Sequence, residues 1–542
     1  MRRFVNLLFA AVVCLVAPAH ASDWVYTVVD GDNLWTFSER YLGSPRYFRK
    51  LQRLNNIEFP RRMKPGTRIR VPMKWLRSNP VQAVVAGVTG NVRIVRQDGK
   101  QSGPATTGSQ LGLGDVLQTS HDSSAAIRFA DESIVTLHQS SEMRFDHLSA
   151  HGETGMVDSR MRLLKGRLDT RVTPAAGPGS RFEIHTPSAI SAVRGTRYRA
   201  AVDEAQKASS FEVLGGRVAV SKERSTRLLK GGLGIRVDTD GKISKPKPLL
   251  PAPILEPYPR PVRKFNDSLH WQAVAGAIGY KIEIGAGATL DTIAWERQST
   301  SPKTTLPDLP DGEYLFRVRA IDGDGLQGKD RVGKLLLDTH PRPPVPLQPA
   351  NGRIIRGEPA ELAWTASADA HRYTLQIATD RDFNAMVSTQ SDLRSPRFTA
   401  LGIQEPGSYY WRVISVAEDG EQGPPGISRH WVQKLKPERV DASVSEGDGR
   451  LHASWPASES AAKYQVQLAL DSRFETFEFD SLIDEARVSF EPTPGQVRYL
   501  RVRIVEEDGY LGPWGVVQKV DPPADKSAWL IPLLMVLGVI VL

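Results

Sequence analysis

The sequence predicts a multidomain protein that is mostly β. Three patterns support this: two short helical turns between strands near the N-terminus, a long glycine-punctuated stretch of alternating strands, and a C-terminal stretch that repeats about every 90 residues. We therefore expect a small βααβ module, an all-β domain, three β-sandwich repeats and a C-terminal apolar helix. The expected boundaries are 22–76 for the module, 81–244 for the all-β domain, 251–339, 340–434 and 435–521 for the repeats, and 527–542 for the helix.

The composition is that of a soluble globular protein. The chain has 542 residues, of which 40% are hydrophobic and 24% charged. Its one cysteine is Cys14, so a disulfide framework, a cysteine-ligated zinc site and thiol catalysis are excluded.

The charge is distributed unevenly along the chain. Residues 22–76 carry +6 (11 basic, 5 acidic), residues 77–250 carry +8 (25 basic, 17 acidic) and residues 251–542 carry −7 (32 basic, 39 acidic). A basic N-terminal half favours an acidic polymer such as cell wall, or an anionic membrane, as partner. Nucleic acid fits poorly with an exported protein, and export is what the N-terminus predicts.

Both ends of the chain carry apolar segments. Residues 1–21 have the pattern of a signal peptide, with Arg2 and Arg3, an apolar run and Ala19-His20-Ala21 before a cleavage site. The alternative is an N-terminal membrane anchor, for which the apolar run is short. Residues 527–542 are almost purely apolar and would span about 24 Å as a helix, slightly less than a bilayer core. We expect a membrane-anchoring tail, and a helix buried against protein is the alternative.

The small module is predicted from residues 25–72. A short strand breaks at Gly31-Asp32 and leads into a helix, and a second short helix ends at Asn55-Asn56 before a second strand. The apolar residues that fall at the spacing of one helix face or of one strand face are Leu34, Phe37, Tyr41, Phe48, Leu51, Leu54, Ile69 and Val71.

These residues resemble a LysM domain, a family that binds N-acetylglucosamine-containing glycans. The resemblance is carried by Tyr26, Val28, Gly31-Asp32-Asn33-Leu34-Trp35, Leu51, Leu54-Asn55, Pro65-Gly66 and Ile69-Arg70-Val71-Pro72. It implies a glycan groove between the loop of residues 31–34 and the loop of residues 55–60. The site residues that it implies are Gly31, Asp32, Asn33, Leu34, Asn55, Asn56, Ile57 and Pro60. The family usually has threonine where Asn33 stands, and asparagine keeps a side-chain cap.

A purely structural interpretation of several of these residues stays open. Asp32 and Asn33 can serve as helix caps only. Gly31, Trp35 and the leucines of the second helix, Leu51 and Leu54, fit turn and core positions better than ligand contacts.

The all-β stretch resembles the FecR domain, the periplasmic part of iron-transport regulators. The matching segments are 112–119, 126–131, 135–137, 164–168, 215–220 and, most specific, 186–198. In that family such domains pass a signal between membrane proteins. Those regulators begin with a cytoplasmic segment and a membrane span that engage a sigma factor. Here a signal peptide and a LysM-like module stand in that place, so direct sigma-factor control does not carry over.

The repeats are defined by their aromatic residues. Trp271, Trp364 and Trp455 lie 93 and 91 residues apart, and a tyrosine follows each of them at the same distance, Tyr280, Tyr373 and Tyr464. The pattern predicts antiparallel sandwiches with one buried tryptophan each, and it resembles the fibronectin type III superfamily. The units are separated by proline-rich joints, which predict a stiff, extended string of domains: residues 246–261 before the first repeat, 341–344, and the less proline-rich 434–438.

The sequence carries no P-loop, HExxH, nucleophile-elbow or dinucleotide motif. We expect no enzyme activity, cofactor or metal site. The prediction is a non-catalytic protein of the periplasm or cell envelope that binds peptidoglycan, presents β domains to unidentified protein partners and contacts a membrane through its tail. The alternatives are a periplasmic signal-relay receptor of the FecR type and a cryptic wall hydrolase.

Overall fold

The computed structural model describes residues 23–97, 99, 102–203, 208–223, 225–264, 266–287 and 289–522. The predicted signal peptide, 1–21, and the predicted apolar helix, 527–542, lie outside these residues. Within the described ranges, no helix is both long and apolar enough to cross a membrane. Strands make up 49% and helices 5% of the structure, which confirms the prediction of a mostly β, multidomain protein with a small helical N-terminal region. The chain divides into two compact units, Met1–His340 and Pro341–Leu542, which are described separately.

The N-terminal module has the predicted order of elements. They are β1 (Trp24–Thr27), α1 (Leu34–Leu42), α2 (Phe48–Asn55) and β2 (Arg68–Val71), with 3₁₀ turns at Pro45–Tyr47 and Met73–Trp75. The two strands pair antiparallel, and α1 begins because the Asn33 Oδ1 atom accepts a hydrogen bond from the amide of Thr36 (2.9 Å). Leu34, Phe37 and Tyr41 are buried on one face of α1, as the period predicts.

Two residues that we expected in this core are exposed. Trp35 is 54% exposed because it is the neighbour of Leu34 and therefore projects about 100° around α1 from the buried face. Leu54 is 39% exposed. In its turn of α2, the residue that contacts the sheet is Asn55, whose side chain bonds both backbone groups of Arg70.

The second domain is all β, as predicted. Its strands are β3 (Asn79–Pro80), β4 (Ala83–Thr89), β5 (Val92–Val95), β6 (Ser102–Pro104), β7 (Gln110–Leu111), β8 (Val116–Thr119), β9 (Ser124–Arg128), β10 (Ile134–Leu137), β11 (Glu142–Ala150), β12 (Val157–Arg171), β13 (Arg181–His185), β14 (Ile190–Val193), β15 (Arg197–Val202), β16 (Ser209–Gly215), β17 (Arg217–Lys222), β18 (Ser225–Lys230), β19 (Leu233–Val237) and β20 (Lys247–Pro248). They pair in a closed arrangement around one apolar core that includes Phe145, Phe182 and Phe211.

The long strand β12 joins the two halves of this domain. Up to Lys165 it pairs with β11, and from Gly166 onward it pairs with β15. Gly166 has φ +82, and a Cβ atom there would lie 2.1 Å from the Ser141 Oγ atom. A glycine is therefore required where the strand changes partners.

The module is fixed to the all-β domain. Met156, in the turn between β11 and β12, is fully buried in the core of the module. Gly179 leaves room for Met73 of the module, since a Cβ atom there would lie 2.2 Å from the Met73 Cε atom. Arg40 of α1 forms an ion pair with Glu153.

The first repeat follows in the same unit. Its strands are β21 (Ser268–His270), β22 (Ala277–Ala286), β23 (Trp295–Ser299), β24 (Lys303–Thr305), β25 (Gly312–Asp322) and β26 (Arg331–Leu337). They form a two-stranded sheet, β21-β24, facing a four-stranded sheet in the order β23-β22-β25-β26.

The second unit contains the other two repeats. The strands of the second repeat are β27 (Pro346–Gln348), β28 (Arg353–Arg356), β29 (Ala360–Trp364), β30 (Arg372–Ala378), β31 (Met386–Leu393), β32 (Arg397–Ala400), β33 (Gly407–Val416), β34 (Gln422–Pro425) and β35 (Arg429–Lys434). Those of the third are β36 (Ser443–Gly447), β37 (Arg450–Ser454), β38 (Lys463–Ala469), β39 (Phe477–Ile483), β40 (Arg487–Phe490), β41 (Arg498–Val505) and β42 (Gln518–Val520). Arg356 of the second repeat binds Glu506 of the third (2.7 Å).

The repeated tryptophans are core residues, as predicted. Trp271, Trp364 and Trp455 are 1%, 2% and 6% exposed. Each packs edge-on against the tyrosine of its own repeat, with ring centroids 5.3, 5.7 and 5.5 Å apart. The hydroxyl oxygen of each tyrosine accepts a backbone hydrogen bond from the loop before its strand.

The prediction of an extended joint before the first repeat is wrong. Lys247–Pro248 pairs with β19 of the all-β domain, while Leu250, Leu255 and Tyr258 pack against the core of the first repeat. Proline fixes its own φ and favours extended backbone at the residue before it. The apolar side chains between the prolines are nevertheless buried against neighbouring strands. The all-β domain and the first repeat are therefore packed together.

Candidate functional site

The two loops that the sequence assigns to a glycan groove lie side by side. The amide of Leu34 donates to the carbonyl of Pro60 (2.8 Å), and the amide of Met63 donates to the carbonyl of Asp32 (3.4 Å). The structure thus brings the loop of residues 31–34 and the loop of residues 55–60 together.

Within the first loop, the side chains have defined structural roles. The Asp32 carboxylate accepts hydrogen bonds from the Tyr26 hydroxyl and the Val29 amide, both 2.8 Å. Partial burial and this carboxylate raise the pKa of Tyr26, so its hydroxyl stays protonated. Asn33 uses its Oδ1 atom as a helix cap, Leu34 is fully buried, and Gly31 is exposed with φ +86.

The second loop is organised by the end of α2. Asn56 adopts a left-handed conformation (φ 51), which ends the helix. The Gln52 side chain donates to the carbonyl of Ile57 (3.0 Å), and Ile57 is half-buried against the core. Asn55 donates to the carbonyl of Arg70 (2.8 Å) and accepts from its amide (2.6 Å), so its side chain holds α2 to β2.

Sequence reasoning missed one exposed aromatic residue of this module, Phe59, and assigned another, Trp35, to the core. Phe59, directly before Pro60, is 69% exposed, and Trp35 is 54% exposed. An exposed aromatic ring beside polar loops offers an apolar surface to a ligand. Phe59 was detectable in the sequence as the aromatic residue of a loop that lies outside the helical period.

A second cluster of chemically active side chains lies where the all-β domain meets the first repeat. His138, only 2% exposed, lies 3.1 Å from the Asp169 carboxylate through its Nε2 atom and 2.9 Å from the Glu296 carboxylate through its Nδ1 atom. Asp169 also binds Arg317 (2.8 Å) and Arg319 (3.2 Å) of the first repeat.

This cluster holds the two domains together with charges. Arg319 and Glu283, both fully buried, form an ion pair, and Lys281 binds Glu296 (2.9 Å). Two hydroxyls of the all-β domain donate to carbonyls of the first repeat, Ser124 to Ile293 and Thr136 to Asp291, both 2.8 Å.

The ion pairs of the cluster determine the pKa values of its histidine and carboxylates. Burial alone would lower the pKa of His138, but the carboxylates of Asp169, Glu283 and Glu296 outweigh it and raise that pKa. Burial alone would raise the pKa of Asp169 and Glu283, but the arginines outweigh it and hold both pKa values well below the ordinary range. His138, Asp169 and Glu283 are close enough to hold a metal ion, yet both carboxylates already bind guanidinium groups.

Comparison with family models confirms two of the resemblances. Residues 26–72 match the LysM domain, and residues 115–219 match the FecR protein family. Domains of these kinds, like fibronectin-type sandwiches, are typically non-catalytic, and the two families fit a protein of the envelope or periplasm.

A curated relative gives no function. The chain is 24% identical over 337 residues to an uncharacterized protein of Treponema pallidum (strain Nichols). The matched region is 57% of this chain and 47% of the relative, so the chain spans about half the length of that protein.

Solved structures to which parts of this chain are similar include a candidate anti-sigma factor and fibronectin domains. A candidate anti-sigma factor from Parabacteroides distasonis ATCC 8503 is 20% identical, over 24% of this chain and 59% of that chain, with a TM-score of 0.21. The FN1–FN3 domains of chicken CNTN1 are 16% identical, over 50% of this chain and 98% of that chain (TM-score 0.21). Two fibronectin type III domains of chicken tenascin are 13% identical, over 33% of this chain and 99% of that chain (TM-score 0.22). At these TM-scores the likeness carries no argument about function.

Proposed function

We propose that this chain is a non-catalytic cell-envelope protein that binds peptidoglycan through its LysM domain and presents its β domains to protein partners. The observation that carries the proposal is the contact between the two loops of the groove, from Leu34 to Pro60, within a segment that matches the LysM family. LysM domains bind N-acetylglucosamine-containing glycans, of which peptidoglycan is the bacterial example.

The chemistry of the groove suits an N-acetylated sugar. Loop backbone groups and the amide of Asn33, whose oxygen alone is used as a cap, can bond the N-acetyl group. The half-buried Ile57 can contact its methyl group, and the exposed ring of Phe59 can cover the face of the sugar. Each contact is weak, which fits a domain that holds a long polymer rather than a single small ligand.

The remaining domains would then serve as a docking platform. The module, the all-β domain and the first repeat pack together in one unit, so a partner bound to any of them would be held at the wall. In this proposal the segment 1–21 directs export to the periplasm, and the segment 527–542 ties the protein to a membrane.

The test is sedimentation of the mature chain, residues 22–542, with purified peptidoglycan sacculi. We expect the chain to sediment with sacculi and a chain lacking residues 22–76 to stay in solution. Because that deletion exposes Met156, a point variant is needed as well. F59A should weaken binding about three- to tenfold, the value of one lost aromatic contact.

The control for F59A is V25A. Val25 is also exposed (41%) but lies on β1 and belongs to neither loop, so this variant should bind like the wild type. Equal sedimentation of the wild type and the deleted chain would refute binding through the LysM domain.

A second candidate function is signal relay. It is favoured by the FecR match over residues 115–219, which suggests such a role, and by the charged contact of this domain with the first repeat. Transcription profiling of cells lacking the chain separates the two: a specific regulon that changes would favour relay, and an unchanged profile would favour the platform.

A further inference from the structure

A cleft of about 270 Å³ lies between the all-β domain and the first repeat. Its walls come from β10, β12, β15 and β16 on one side, and on the other from β25, β26 and the loop before β23. Four arginines line it, Arg171, Arg197, Arg199 and Arg317. Three carboxylates line it as well, Asp169, Asp291 and Asp330. Clefts at domain junctions are usual places for small ligands.

Two of the four arginines are neutralised inside the protein. Arg171 binds Asp291 (2.7 Å), and Arg317 binds Asp169 (2.8 Å). Arg197 is exposed and forms no ion pair with any of the described residues. The cleft therefore presents one guanidinium group that is available to a ligand.

Arg199 lies deeper and is fully buried. Its terminal nitrogens donate to the carbonyl of Gly328 (2.9 Å) and to the carboxylate of Asp330. Its Nε atom is buried without a hydrogen-bond acceptor among the described residues, and the nearest carboxylate oxygen, on Asp169, is 3.9 Å away.

Charges of both signs surround Arg199. Burial and the neighbouring guanidinium of Arg319 lower its pKa to about 10, although Asp330, Asp169 and Glu212 act in the opposite direction. A buried N–H group without an acceptor is costly.

We propose that this cleft binds a small organic anion, with the exposed guanidinium of Arg197 as its contact at the entrance and the side chain of Arg199 lining the buried end. The anionic group is a carboxylate or a phosphate, since both match the guanidinium fork. The walls also contain Leu290 and Leu315, which suit a short apolar body next to the anionic group. A ligand there contacts both domains and stabilises their packed arrangement.

The test uses the mature chain with inorganic phosphate and succinate as separate probes at constant ionic strength. Calorimetric titration should give saturable binding of at least one probe, and that probe should raise the temperature at which the first unit unfolds. Binding of phosphate alone would identify a phosphate-bearing ligand, and binding of succinate alone a carboxylate-bearing one.

Two variants make the result specific. R197Q removes the exposed guanidinium without breaking an ion pair of the described residues and should weaken binding about tenfold or more. R227Q is the matched control, because Arg227 is also exposed on a strand of this domain but does not line the cleft, and it should bind like the wild type. Absence of saturable binding for both probes, or equal affinities of R197Q and R227Q, would overturn the proposal. Neither of these results depends on sacculi, so a failure of this proposal would leave the proposed wall-binding function untouched.

Discussion

Replacing Arg319 with methionine should destabilise the packed all-β domain and first repeat by about 3–5 kcal/mol. The side chain is fully buried and forms ion pairs with three carboxylates, those of Glu283, Asp169 and Asp330. Removing it leaves Glu283 buried with one of its two arginine partners lost, and the cost of an uncompensated buried charge exceeds the value of the pair itself. Hydrogen exchange of the mature chain should show amides of β12 and β25 exchanging at least about a hundredfold faster.

The third repeat provides the control. Arg503 occupies the position of Arg319 in the equivalent strand, but it bonds the neutral Gln465 (2.8 Å) and stacks on Trp514, 4.2 Å from the ring centre. R503M should therefore cost about 1 kcal/mol, the range of a partly exposed cation–π contact. If R319M and R503M were equally mild, the charged contact between the all-β domain and the first repeat would not hold these domains together.

The second large effect is a loss of stability at alkaline pH that depends on His138. Its pKa in the folded protein lies above the ordinary value of 6.5, so the stabilisation is complete below pH 6.5 and is lost as the pH rises through the folded pKa. Each pH unit in that interval should cost up to about 1.4 kcal/mol. On the acid side, Asp169 and Glu283 have lowered pKa values, so their contribution is present above about pH 4.5 and is lost as the pH falls.

Calorimetry of the mature chain between pH 5.5 and 8.5 measures this effect. The unfolding temperature of the first unit should fall as the pH rises, and H138Q should abolish most of that slope because glutamine does not titrate. H452Q is a suitable control, since His452 lies in the second unit and, among the described residues, bonds Ser489 and the carbonyl of Gly447 in that same unit. A wild-type slope retained in H138Q would assign the pH dependence to another group.

Local patterns were enough to predict the separate domains. Two patterns predicted burial correctly: the helical face of Leu34, Phe37 and Tyr41, and the tryptophan–tyrosine spacing of the repeats. Both depend on residues that are close in sequence. Trp35 was wrongly assigned to the core, although it lies one residue away from the buried face of α1.

The charged contact could not be predicted in this way. His138 and Glu296 are 158 residues apart in the chain. Charged residues at alternate positions, such as Arg317 and Arg319, also look like the solvated face of a strand. One signal was present: Glu283 stands where the other repeats have the neutral Gln376 and Gln467, and it is the repeat with the charged residue that packs against another domain.

The central claim is that the two loops of the LysM domain form the glycan-binding site. Hydrogen exchange of the mature chain with and without a soluble oligomer of N-acetylglucosamine tests it most directly. The account predicts slower exchange in peptides covering residues 31–34 and 55–60, with no change in the sandwich repeats. Unchanged exchange in both loops under saturating oligomer, or protection confined to the repeats, would contradict it.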